Sequence, residues 1–146
     1  MNDFTFLSNT RLIVGRNAEM QIGRYVKEYG GSRVLVHHDS GYVKQSGLVD
    51  RVMGALQEAG LTAFELGGVV PNPHLDLVYQ GIDLCKKEKI DFLVAIGGGS
   101  VIDSTKAIGL GIPYDGDVWD FFAEENGVQR AIPQKSIPIG VVLTIA

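Results

Sequence analysis

The sequence predicts an α/β fold, a mainly parallel sheet with helices on both faces and a β-hairpin at the N-terminus. Two observations predict it. Short apolar runs alternate along the chain with segments of helical periodicity, and a triple glycine stands directly between one such run and the helix that follows it. A length of 146 residues suits one domain, long enough to bury roughly two-thirds of the surface its unfolded form exposes.

The elements follow in order. Phe4-Thr5-Phe6-Leu7 and Arg11-Leu12-Ile13-Val14 flank Ser8-Asn9-Thr10, the pattern of a hairpin. Asn17 stands where it would cap a helix in which Met20, Ile22, Tyr25 and Val26 recur at helical spacing, and Gly30-Gly31 ends it. Val34-Leu35-Val36 is a short buried strand. Over 48–59, Leu48, Val52, Ala55 and Leu56 share a face, Gly60 stops the helix, and 62–66 reads as the next strand. Asn72-Pro73 supplies an N-cap and a first-turn proline for a helix through Leu75, Val78, Ile82 and Cys85. A strand over 92–96, a helix over 100–108, a short helix over 118–122 and a strand over 137–143 complete the series.

Composition narrows the partners. The chain carries 13 basic and 17 acidic residues, a net charge of −4, with no basic block or stripe, which excludes the usual footprint of a nucleic-acid binder. Its longest apolar runs are about five residues, far below the ~20 that span a bilayer. Met1-Asn2-Asp3-Phe4 lacks the basic region and apolar core of a leader. A soluble, cytoplasmic protein is expected. Cys85 is the single cysteine, so no internal disulfide forms, and its neighbours Ile82 and Leu84 place it on a buried helix face.

The chemistry concentrates at Gly97-Gly98-Gly99-Ser100, after Phe92-Leu93-Val94-Ala95-Ile96. Glycines let the backbone approach a ligand closely, and the unpaired amides and dipole of the following helix add partial positive charge. This is a phosphate cradle. A dinucleotide fingerprint starting at Gly97 needs glycine where Ile102 stands, and Lys106 lacks the context of a P-loop. The cradle therefore belongs to another lineage.

In parallel sheets ligands sit beyond the carboxyl ends of the strands, which draws attention to the other strand ends. Asp39, after His37-His38, can accept hydrogen bonds from both ribose hydroxyls of an adenosine and repel a 2′-phosphate, which argues for NAD over NADP. Spacing alone favours a plain turn former before Ser40-Gly41. Asn72 either caps a helix or touches the ligand, and capping is the simpler reading.

The remaining polar groups read as structural. His37 and His38 are adjacent on a strand end and point to opposite faces, and His74 stands in the first turn of a helix, so no metal-ligand spacing appears. Lys106 reads as solvated. Ser104 and Thr105 have no base near them in sequence. Around Trp119 and Phe121-Phe122, Asp115, Asp117 and Asp120 form an acidic stretch in which Asp117 is an N-cap and the aromatics a buried face.

The run 97–108, preceded by Val70-Pro71-Asn72-Pro73, resembles the iron-containing alcohol dehydrogenases, particularly their butanol-dehydrogenase-like branch. Val43-Lys44-Gln45-Ser46-Gly47 and Val141-Val142-Leu143-Thr144 look like the same family, so the resemblance covers nearly the whole chain. It implies a Rossmann-like cofactor domain over 1–146, with Gly97, Gly98, Gly99 and Ser100 around the pyrophosphate. It also puts Asp39 at the adenosine ribose, and Asn72, Asp103 and Thr144 near the dinucleotide. Some relatives of the butanol branch carry glycines at the Asp39 position and prefer NADPH, so NAD is expected here with NADP as the alternative.

The resemblance also implies what these residues lack: a helical C-terminal domain whose Asp and His side chains hold iron or zinc and polarise a small alcohol or aldehyde. None of those ligands can be matched in this chain. The expectation is therefore the cofactor-binding portion of an oxidoreductase, inactive alone, pairing as a homodimer through its N-terminal strands. A stand-alone nucleotide-binding module and a fragment of a dehydroquinate-synthase-like lyase are the alternatives. Glycerol dehydrogenases share the triple-glycine loop but resemble 100–106 less well.

Overall fold

The computed structural model describes residues 8–39, 41–125 and 128–144. A 3-10 turn, Ala18–Gln21, leads into α1 (Ile22–Glu28) and then β1 (Arg33–Asp39). Two helices, α2 (Tyr42–Gln45) and α3 (Leu48–Glu58), precede β2 (Thr62–Val69). The long α4 (Leu75–Glu88), β3 (Phe92–Gly97) and α5 (Gly99–Gly111) follow. A 3-10 turn, Val118–Phe121, then precedes a small antiparallel pair, β4 (Glu124–Glu125) and β5 (Val128–Gln129), and β6 (Ile139–Leu143) is the last element among the described residues.

The main sheet is wholly parallel in the order β2-β1-β3-β6. Alternation of side chains across it explains the two apolar layers. Val34, Val36, Val94 and Ile96 face α1 and α3 through Val26, Val49, Val52 and Leu56. Leu35 and Leu93 face α4 and α5 through Val78, Ile82, Cys85, Ala107 and Ile108. Helices thus cover both faces, as the sequence predicts. Leu35 is fully buried among these side chains. Leu35→Ala is expected to cost ~2–5 kcal/mol by chemical denaturation, the usual range for a cavity left in a packed core.

Several local expectations are corrected. Of the expected hairpin, residues 4–7 lie outside the described residues, and 11–14 form no strand among the described ones. That segment is held to α1 by one side chain: the Arg11 guanidinium donates to Glu28 at 2.8 Å and lies over the Tyr25 and Tyr29 rings. Neither asparagine caps a helix with its side chain: Asn17 stands at the N-cap of the 3-10 turn without a side-chain bond, and Asn72 lies before the α4 cap at His74. Asn17 and Asn72 both adopt left-handed backbone (φ 55° and 57°), and α4 starts after His74 without a side-chain cap, so Pro73 precedes the helix instead of opening it. Asparagine tolerates this conformation better than other residues with a side chain.

Strands β1 and β2 run further than their apolar cores. His37 and His38 are buried within β1, each with hydrogen-bond partners that allow a polar strand residue to enter the core. In β2 the ladder slips: His37 faces Leu66 but Asp39 faces Val69, so one extra residue is accommodated at Gly67-Gly68. A Cβ on Gly67 would stand 2.6 Å from the His38 ring, and Gly68 takes φ 110°, which explains two glycines inside a strand.

Candidate functional site

The strand order dictates where a ligand can enter. From β1 the chain crosses to β2 on one side and then returns to place β3 on the other, so the crevice between the carboxyl ends of β1 and β3 lies at the reversal of strand order. A cleft of about 200 Å³ opens there. It is lined by Asp39 from the end of β1, Val69 to Pro71 from the end of β2, and Gly98 to Val101 from the start of α5.

The glycine loop forms the floor. A Cβ on Gly97 would meet Val101 Cγ2 at 2.5 Å, so this position must be glycine for β3 and α5 to pack. Gly98 is extended (φ −95°, ψ −162°), and its carbonyl accepts the amides of both Val101 and Ile102 at 3.1 Å. The amides of Gly99 and Ser100 lie in the first turn, ahead of any intrahelical acceptor, at the positive end of a 13-residue helix. Gly99 is exposed, and an added Cβ there would meet no protein atom within 4 Å. Packing does not require that third glycine. The open volume above it suits a phosphate.

Asp39 serves a turn and leaves an oxygen over. Its Oδ1 accepts the Gly41 amide at 2.9 Å, the local role that spacing favours, while Oδ2 has no hydrogen-bond partner among the described residues. Thr144 at the end of β6 donates its amide to the Gly97 carbonyl at 3.2 Å, joining the last strand to the loop. Asn72 and Asp103 are exposed and do not line the cleft, and Lys106 is exposed on α5. Of the residues picked from the sequence, Asp39, Gly98, Gly99 and Ser100 share one cavity, and Gly97 and Thr144 support it from behind.

The chain has counterparts among known proteins. The model of the family described as iron-containing alcohol dehydrogenase matches residues 9–146. The chain belongs to that family. It is 45% identical over 146 residues to a probable NADH-dependent butanol dehydrogenase 2 of Bacillus subtilis, covering all of this chain and 36% of that protein. With the NADPH-dependent aldehyde reductase YqhD of Escherichia coli it shares 32% identity over 145 residues, 99% of this chain and 36% of the relative. A crystal structure of an NADH-dependent butanol dehydrogenase A from Thermotoga maritima superposes with a TM-score of 0.91 at 37% identity, covering 100% of this chain and 35% of that one. The chain thus spans about a third of the length of these relatives.

Behind the cleft, this member of the family buries a polar layer that sequence reading missed. His37 Nδ1 lies 2.7 Å from the Leu66 carbonyl and Nε2 lies 2.9 Å from Ser104 Oγ, so Ser104 does have an imidazole beside it, brought from 67 residues away. Both side chains are buried, which removes them from any reacting group. On the opposite face His38 contacts Glu65 at 3.0 Å, and Glu65 also accepts from Lys44. The two histidines diverge as strand geometry requires. Among the described residues, no three His, Cys, Asp or Glu side chains are grouped so as to hold a metal ion.

Burial pushes His37 down from 6.5 to about 4, with His38 adding a smaller repulsion, so the ring is neutral at pH 7. The unfolded chain therefore takes up a proton that the folded one excludes. Stability from this group is complete above pH 6.5 and is lost as the pH falls toward 4. The expected loss is about 3 kcal/mol, read as a falling denaturation midpoint that flattens in His37→Leu.

The acidic and aromatic stretch is structural in part. Asp117 Oδ1 accepts the Trp119 amide at 2.8 Å and the Tyr79 hydroxyl at 2.7 Å, which makes it the expected cap, and Phe121 is buried against Tyr114. Trp119 and Phe122 are instead about half exposed, because a single 3-10 turn presents only one side to the core. A broader concavity of about 580 Å³ beside β4 and β5 is lined by Asp120, Glu125, Val128, Gln129 and Arg130 and lacks the convergent amides of the strand-end cleft. Cys85 is buried and its thiol is pushed up to about 12, leaving it inert as a nucleophile at neutral pH.

Proposed function

We propose that this chain is the dinucleotide-binding domain of an NAD-linked, iron-dependent oxidoreductase acting on a small primary alcohol or aldehyde. The observation that carries the reading is the convergence of Asp39 with Gly98, Gly99 and Ser100 on one cleft at the reversal of strand order. The amides of Gly99 and Ser100 are to bind the pyrophosphate, and Asp39 Oδ2 the adenosine ribose. Gly97 and Thr144 hold the loop in place, while Asn72 and Asp103 lie outside the cleft lining and are assigned to its outer margin. A bound nicotinamide supplies the hydride acceptor or donor. The residues described here do not fit the metal, so its ligands are assigned to the part of the protein beyond this third, and no step is derived through it.

NAD is favoured over NADP because a carboxylate facing the ribose repels a 2′-phosphate. Support from relatives is divided, since one is named for NADH and another for NADPH. The proposal includes a cytoplasmic homodimer. A free, buried cysteine suits a reducing compartment, and Leu12 and Val14, 85% and 86% exposed at alternate positions, supply apolar surface for a second copy.

Titration calorimetry tests the reading. Saturable NAD binding by the 146-residue chain, with no alcohol oxidation on adding iron or zinc, is the expected outcome. Failure to bind NAD overturns the cofactor site, and metal-dependent turnover by this chain alone overturns the assignment of the metal elsewhere. Binding without any partner segment that restores turnover leaves a stand-alone nucleotide module. A monodisperse monomer in light scattering overturns the dimer.

A further inference from the structure

We propose that His37 is a positioning residue for the dinucleotide cleft, a neutral crosslink that fixes the phosphate-binding helix against the ribose-binding strands. The inference rests on reading that cleft as the cofactor site.

The geometry is specific. The cleft has three walls, contributed by the ends of β1 and β2 and the start of α5. His37 stands on β1 two residues before Asp39. Its Nδ1 meets the carbonyl of Leu66 on β2, three residues before Val69, and its Nε2 meets Ser104 on α5, one turn beyond Ser100. One imidazole therefore touches every element that lines the cavity, just beneath it. His37 and Ser104 are 0% and 1% exposed, so water does not compete for these bonds.

The proton inventory follows from the partners. A carbonyl oxygen only accepts, so Nδ1 carries the hydrogen and donates to Leu66. A neutral ring then presents a lone pair at Nε2, and the Ser104 hydroxyl donates to it. The bulge at Gly67-Gly68 begins directly after Leu66, where the ladder between β1 and β2 is interrupted. The side-chain bond secures β2 to β1 at the place where regular backbone pairing gives way. Ser104 does the same for α5. Thr105 beside it bonds back to its own helix at Val101, so of these two hydroxyls only Ser104 ties α5 to the sheet.

The two halves of the ligand sample these walls differently. Inorganic pyrophosphate needs only the first turn of α5, whereas NAD must satisfy that turn and the ribose-binding edge together. Joint affinity depends on the placement of one subsite relative to the other, as it does for any linked pair of binding groups. Loosening the crosslink leaves each subsite intact and lowers the benefit of joining them.

His37→Leu and Ser104→Ala, each checked for cooperative melting, are the variants, with NAD and inorganic pyrophosphate titrated into the 146-residue chain. NAD is expected to bind about tenfold more weakly to either variant while pyrophosphate changes by less than about twofold. Ser104→Ala removes only a hydroxyl and preserves the test where His37→Leu fails to fold. Equal losses for both ligands, or NAD affinity unchanged in a folded variant, overturn the proposal. An unaltered chain that binds pyrophosphate but not NAD overturns the cofactor reading itself and the crosslink's role with it. Nitrogen chemical shifts of His37 at neutral pH give an independent readout: the Nδ1–H tautomer supports the crosslink, and the Nε2–H tautomer refutes it.

Discussion

Gly97→Ala is expected to eliminate detectable NAD binding while leaving a folded but weakened domain. The added methyl would stand 2.5 Å from Val101 Cγ2 and 2.9 Å from its Cβ, closer than packed carbons approach. Relief requires α5 to move away from β3 or Val101 to leave its pocket. Overpacking of this kind costs ~1–3 kcal/mol of stability. The greater effect falls on the ligand. Val101 lines the cleft and its amide bonds to Gly98, so any movement shifts the amides of Gly99 and Ser100 from the position proposed for the pyrophosphate. Calorimetric titration checks this directly. NAD affinity within about twofold of the unaltered chain would remove the glycine loop from the site.

Asp39→Asn is expected to move cofactor preference toward NADP by about 10²-fold, equivalent to ~2.7 kcal/mol. A charge facing a 2′-phosphate at contact distance in partly screened surroundings repels it by a few kcal/mol. The asparagine can still accept the Gly41 amide through its side-chain oxygen, so the turn is preserved and the charge alone is removed. Comparison with Asp39→Gly separates the two roles. If charge decides the preference, both variants shift alike. A shift seen only in the glycine variant assigns the preference to loop conformation, and no shift in either overturns the role of Asp39.

Much of this architecture is legible in the sequence because it is local. Five consecutive apolar residues followed by three glycines read as a buried strand turning into a helix, and Cys85 between apolar helix positions could be placed by periodicity. What escaped is what depends on distant pairing. His37 and His38 look like the polar end of a short strand until Leu66, Ser104 and Glu65 arrive from elsewhere to satisfy them. The available signal was weak: two glycines inside β2 mark the bulge that accommodates the His38 ring. Asn72-Pro73 misled for a different reason. Asparagine serves equally as a helix cap and as a left-handed turn residue, and only the tertiary path selects between them.

The order of the sheet has a consequence for how the site comes into being. β1 finds β2 within the first 69 residues, but its other edge has no neighbour until β3 is complete at Gly97, and β3 in turn waits for β6. On a ribosome, where the N-terminal part emerges first, β1 must therefore keep one flank open while α4 is still being made. The cleft lies along the seam between β1 and β3. If the cleft binds NAD as proposed, NAD added during synthesis is expected to act on the joining of β3 to β1 and not on the early β1–β2 pairing.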